Sequence, residues 1–86
     1  MAVVSYPAVF YKDDESEGYT VAFHDLSLYT EGKNVEEAFL RAKEFLVAYI
    51  KYSLKYEEEL PKASDFETVK SQNDNLVFLI DAEIKD

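Results

Sequence analysis

The chain has no cysteine, a single histidine, two glycines and two prolines among 86 residues. Without cysteine there is no disulfide bracing and no thiolate chemistry. No apolar run reaches the roughly 18–20 residues that a bilayer span requires. The start, MAVVSYPAVF, lacks the basic flank and long apolar run of a secretory signal. Basic charge is scarce as well: nine Lys and Arg face eighteen Asp and Glu, a formal net charge of −9. A phosphate backbone is held by basic surfaces that release its counterions, so direct nucleic-acid binding is not expected. The expectation is a cytoplasmic protein with no membrane segment and no cofactor.

What is present is a foldable core. Apolar residues make up 48% of the chain, and the length fits a single domain, 1–86, near the size where one core is only just adequate. The acidic balance favours a basic partner and speeds encounter with it; its simpler use is solubility.

Val3 to Tyr11, rich in valine and aromatics, reads as a strand. Pro7 has no amide donor, so there the strand must be unpaired on one side or bulged. Lys12 to Gly18 (KDDESEG) is a polar hairpin connection, Tyr19 to His24 a second strand and Leu28 to Thr30 a short third, closed by Gly32. Asn34 is a favoured helix cap, and Glu37 stands three residues on, placed to bond back to the cap amide. Val35, Phe39, Ala42, Leu46, Tyr49 and Ile50 recur at helical spacing as a buried stripe, which Phe45 and Tyr52 widen. The helix should end near Tyr56, ahead of Glu57–Glu59 and Pro61. Lys62 to Asn75 is a polar loop with room for one short turn around Asp65 to Val69. Leu76 to Ile84 is the last strand; its LVFLI centre is apolar on both faces, the mark of a central or doubly covered strand.

This order predicts an α+β fold, β-β-β-α-β: a three-stranded antiparallel meander, one crossover helix, and a fourth strand pairing parallel to the first. One helix covers one face of a sheet, yet Val9 and Phe10 lie on opposite faces, as do Val77 and Phe78. The uncovered face predicts a homo-oligomer, most simply a dimer.

YPAVFYKDDESEGYTVAF, followed by DL, TEG and VEEA, and then by ELPKAS and LVFLIDAEI, resembles the N-terminal domain of the HicB family of antitoxins. The resemblance spans nearly the whole chain. It implies a partial ribonuclease H-like fold and an antitoxin of a type II toxin–antitoxin system that blocks a small basic HicA-type toxin, an enzyme that cleaves messenger RNA. An orphan HicB-like domain that self-assembles without a toxin is the alternative. The family's Pro-Asp-Leu-Pro-Gly-Cys type turn is replaced here by His24, Asp25, Leu26, Ser27, Leu28 and Tyr29, one residue shorter. Many members carry a C-terminal DNA-binding domain; this chain stops at Asp86, directly after the last strand, so operator binding is not expected of it.

Catalysis fares poorly. A ribonuclease H-type site needs acids converging on two metals, and Val3 to Tyr11 contains none; Asp25 and Asp81 are the nearest candidates, too few for such a site. His24 sits beside a turn with no nucleophile partner evident. The chain is therefore read as no enzyme, with no metal site. Asp13, Asp14, Glu15 and Glu17 on the hairpin lack the spacing of a calcium-binding EF-hand loop. They are the candidate contacts for a basic toxin, or else a solvated hairpin tip.

Overall fold

The longest strand, β1 (Ala2–Lys12), organises the rest. The computed structural model describes residues 2–84. After β1 come β2 (Tyr19–Phe23), β3 (Tyr29–Gly32), α1 (Val35–Lys55), α2 (Phe66–Ser71) and β4 (Leu76–Ile84). The four strands form one sheet in the order β3-β2-β1-β4. The meander is as expected, with β1 antiparallel to β2 and β2 antiparallel to β3.

Pro7 decides where β2 stops. Its carbonyl accepts the His24 amide at 3.1 Å, so its backbone faces β2, where the missing N–H would otherwise have donated. The ladder between β1 and β2 closes one step earlier, at Ala8 opposite Phe23. On the β4 side Pro7 lies opposite Leu79 in a non-hydrogen-bonded pair, where no amide is required. The proline is tolerated inside a strand because only β2 is shortened by it.

Alternation along β1 places Tyr6, Ala8 and Phe10 on the face that α1 covers. There they pack with Val21, Phe23 and Ile80, and with Ala38, Ala42, Leu46 and Ile50 of α1. Phe10, Phe39 and Phe78 join β1, α1 and β4, with edge-to-face contacts of Phe78 at 4.9 and 5.9 Å. Helix and sheet approach closely at Gly32, where a β-carbon would fall 2.3 Å from the Ala38 nitrogen. Phe45 and Tyr52 depart from the expectation: both are exposed, because they lie off the Ala38–Ala42–Leu46–Ile50 row toward the β3 side of the helix.

The ends of α1 are well determined. The Asn34 side chain accepts the Glu37 amide at 2.8 Å, and the Glu37 carboxylate accepts the Lys33 amide, one residue ahead of the cap. At the other end Glu57 adopts a positive φ of 54°. The Glu58 amide donates to Ser53 and the Glu57 amide to Leu54, the paired bonds of a Schellman motif built on glutamate where glycine is usual.

The fourth strand corrects the sequence reading in three respects. It pairs with β1 but runs antiparallel to it, from Phe10 opposite Leu76 to Ala2 opposite Ile84. It is an edge strand, so the central alternative fails, while the doubly covered one fits, with α1 over Phe78 and Ile80 and α2 over Val77. And the second face of the sheet is not left wholly to an external partner. The cause of all three is the stretch after α1. A helix of 21 residues carries the chain about 30 Å along the sheet, and residues 56–75 bring it back along the other face. The crossing point is beside β1 below the end of β2. There the Tyr6 hydroxyl donates to the Pro61 carbonyl, and Asp25 accepts the Ser64 amide at 2.8 Å as well as its hydroxyl. The segment read as a polar loop contains α2, capped by Asp65; its Val69 and Phe66 cover Val9 and Val77.

Two stability measurements follow. Glu57→Gly should stabilise the protein by about 1 kcal/mol in denaturant unfolding, since glycine adopts positive φ without the β-carbon penalty. Tyr6→Phe should cost about 1 kcal/mol at neutral pH through loss of the Pro61 bond. Burial, then Tyr49 and Asp25, raises the Tyr6 phenol above its ordinary value of 10.0. The neutral phenol thus contributes stability that is complete below pH 10 and lost as pH rises through the raised value. In Tyr6→Phe this alkaline loss should disappear from a stability–pH profile.

Candidate partner-binding site

The hairpin between β1 and β2 is shaped by its own first acid. Asp13 accepts the Glu15 amide on one oxygen and the Ser16 hydroxyl on the other, both at 3.0 Å. Its own amide donates to the Gly18 carbonyl at 2.9 Å, and the Ser16 oxygen accepts the Gly18 amide. The Glu15 amide first and the Ser16 hydroxyl second hold the Asp13 carboxyl below its ordinary value of 3.8. All four acids singled out in the sequence are exposed; Asp13 folds the turn as well as presenting charge to water.

Beside this hairpin lies the junction of β3 and α1. Together they form an open groove of about 480 Å³ whose acidic lining is Asp13, Glu17, Glu31 and Glu37. Two cations, Lys33 and Arg41, share it, and Arg41 is engaged by Glu37 at 3.4 Å. Asp14 and Glu15 stand outside the lining. A shallower groove of about 420 Å³ continues around the β3 edge; it shares Thr20, Glu31 and Arg41 and adds Tyr29 and Phe45. Tyr29 is 65% exposed and Phe45 43%. Farther along the same flank of α1, Tyr52 packs against Tyr56 with the rings tilted and 4.7 Å between their centres. The arrangement is an acidic concavity bordered by exposed aromatics, and aromatic residues are enriched at protein-binding surfaces.

The hairpin acids stand out in the sequence as a charge run, whereas Glu31 and Tyr29 are unmarked there as site residues and Glu37 and Phe45 carry other signals, a helix cap and the buried stripe. The signal for Phe45 was its angular position next to Arg41 and away from the buried row. For Glu31 there was none, since only strand pairing sets it opposite Thr20.

The remaining candidates are dispersed. His24 is exposed, Asp25 binds Ser64, and Asp81 accepts the Ser5 hydroxyl. Among the described residues no group of three or more His, Asp or Glu side chains is placed to hold a metal ion. None of the described helices is long and apolar enough to cross a membrane.

Residues 5–83 match a family described as HicB_like antitoxin of bacterial toxin-antitoxin system. A toxin–antitoxin complex from Streptococcus pneumoniae contains a chain of similar structure, with a TM-score of 0.78 and 25% identity over 95% of this chain and 70% of that one. The N-terminal domain of the Burkholderia pseudomallei antitoxin HicB shares the fold, with a TM-score of 0.78 and 17% identity over 96% of this chain and all of that one (100%). A search of curated proteins gives no match.

The hydrogen bonding of Asp13 has a measurable consequence. In a carboxyl NMR titration Asp13 should titrate below the ordinary aspartate value, and Ser16→Ala should return part of that shift. Because the shift is downward, the turn's contribution to stability is complete above the ordinary value and is lost as pH falls through the lowered one.

Proposed function

The chain belongs to the HicB-like antitoxin family of bacterial toxin–antitoxin systems, and on that premise we propose that it binds and occludes a small, basic toxin of the HicA, mRNA-cleaving type. The observation that carries this reading is the acidic groove beside exposed Tyr29 and Phe45 on a chain of net charge −9. A toxin that holds RNA needs a basic surface for the phosphates. Asp13, Asp14, Glu15, Glu17, Glu31 and Glu37 offer that surface a competing set of negative charges. Phe45 and Tyr29 supply the desolvated centre that sets the lifetime of a complex. In this reading the protein acts by occlusion and performs no chemistry, it works in the cytoplasm as a single toxin-binding domain, and it does not itself hold nucleic acid. It also self-associates, most simply as a dimer.

The two parts of the surface separate kinetically. Attraction by the acidic hairpin is screened over about 8 Å at physiological ionic strength and acts on the association rate. Asp13→Asn, Asp14→Asn, Glu15→Gln and Glu17→Gln combined should slow association with a purified HicA-type toxin and flatten its salt dependence, with little change in dissociation. Phe45→Ala should do the reverse and speed dissociation by about tenfold. Equal salt slopes for wild type and the fourfold variant would leave the hairpin a solvated tip, and the absence of any complex would favour an orphan self-assembling domain.

A further inference from the structure

The last strand has the composition of a central strand and the position of an edge. Leu76 and Leu79 are 45% and 43% exposed on it, and among the described residues no strand pairs with its outer side. Which groups lie there follows from Pro7. Its backbone faces β2, so that of Ala8 faces β4, and Phe78, opposite Ala8, faces back. The amides and carbonyls of Val77, Leu79, Asp81 and Glu83 therefore point outward, a ready template for another strand.

Above this edge α1 carries Leu40, Val47 and Leu54 at seven-residue spacing, the first and last each 55% exposed. Val47 and Leu54 form with Ala82 and Ile84 of β4 a groove of about 830 Å³. Lys43, Lys51 and Lys55, a third of the chain's basic residues, line this surface next to Glu44 and Glu83.

The charges select the occupant. A basic toxin is repelled by three lysines here, whereas a chain of net charge −9 is not. A two-fold contact sets a patch against its own copy and so needs both signs in near balance, as here, whereas acids outnumber cations two to one in the groove beside the hairpin. We propose that a second copy of this chain packs here, β4 against β4 in antiparallel pairing about a two-fold axis, joining the two sheets into one. Centred on Ile80, the pairing overlaps all of β4. It sets Asp81 against Leu79 and Glu83 against Val77 of the copy, so no two carboxylates directly oppose. On the α1 side every pair is apolar, with Phe78 against Ala82 and Leu76 against Ile84. The α1 stripes then meet above the joined strands. The proposal rests on the self-association stated above and gives it a surface.

The test uses the full chain. Light scattering should give about twice the 9.9 kDa protomer mass. Leu40→Lys with Leu54→Lys adds cations to the lysine rim at exposed positions, and should raise the dimer dissociation constant about a hundredfold with an unchanged circular dichroism spectrum. In hydrogen exchange the amides of Val77, Leu79, Asp81 and Glu83 should be protected in the wild type and lose that protection in the double variant. Those of Phe78, Ile80 and Ala82, paired with β1, should stay protected in both. A wild type that is monomeric over a wide concentration range would overturn self-association and this surface together. A dimer whose odd-numbered β4 amides exchange freely, or one that survives the double variant, would overturn this surface alone. Should the double variant not fold, the wild-type exchange pattern decides.

Discussion

One missing hydrogen-bond donor shapes this fold. Pro7 cannot complete the β1–β2 ladder, so β2 is half the length of its neighbour. The lower half of β1 is left without a strand on that side, and the segment after α1 fills the gap. Tyr6, Asp25, Pro61 and Ser64 fasten it there through hydrogen bonds. Because the chain crosses at that gap, it reaches the second face of the sheet, forms α2 over Val9 and Val77, and enters β4 from the end at which β1 finishes. A residue with an amide at position 7 would allow β2 to continue, and the crossing would have to compete with strand pairing for the same edge.

Charge is segregated on this frame. The hairpin acids and those of the β3–α1 junction gather at one end of the sheet, whereas three lysines and an aliphatic stripe occupy the flank between α1 and β4. A strongly acidic protein thus keeps one surface on which basic and acidic side chains are mixed. The acidic end needs little from the core for its shape, since Asp13 and Ser16 fold the turn by local hydrogen bonds. That leaves its remaining carboxylates free for a partner.

The meander, α1 with its Asn34 cap and its ending near Tyr56, and the pairing of the last strand with the first were legible in the sequence, because each rests on local periodicity or cap chemistry. The direction of β4 was not. A crossover helix normally returns the chain for a parallel strand, and only the short α2, whose sequence FETVKS is largely polar, reverses that outcome. Its presence was hinted at by Asp65 ahead of a possible turn, but a single buried valine gives no periodic signal. The doubly apolar LVFLI segment fits the reading of a doubly covered strand, with α1 over Phe78 and Ile80 and α2 over Val77, but not that of a central one, because composition reports cover and not neighbours in the sheet. At the candidate site the hairpin acids were visible as a charge run, while Glu31 and Glu37 joined them only through tertiary proximity. Phe45 was assigned to the core because its hydrophobicity outweighed its angular position.

The pairing of the first strand with the last also fixes when this protein can exist. Leu76 lies opposite Phe10 and Ile84 opposite Ala2, so the longest ladder joins the extremes of the sequence. On a ribosome that synthesises from the N-terminus, β1 is made first and must wait for its main partner until the final strand has emerged. Until then the apolar row of Tyr6, Ala8 and Phe10 has no Ile80 beside it. A chain interrupted before Leu76 lacks the whole β1–β4 ladder and keeps β1 as an exposed edge beside β2, one that invites proteolysis or aggregation.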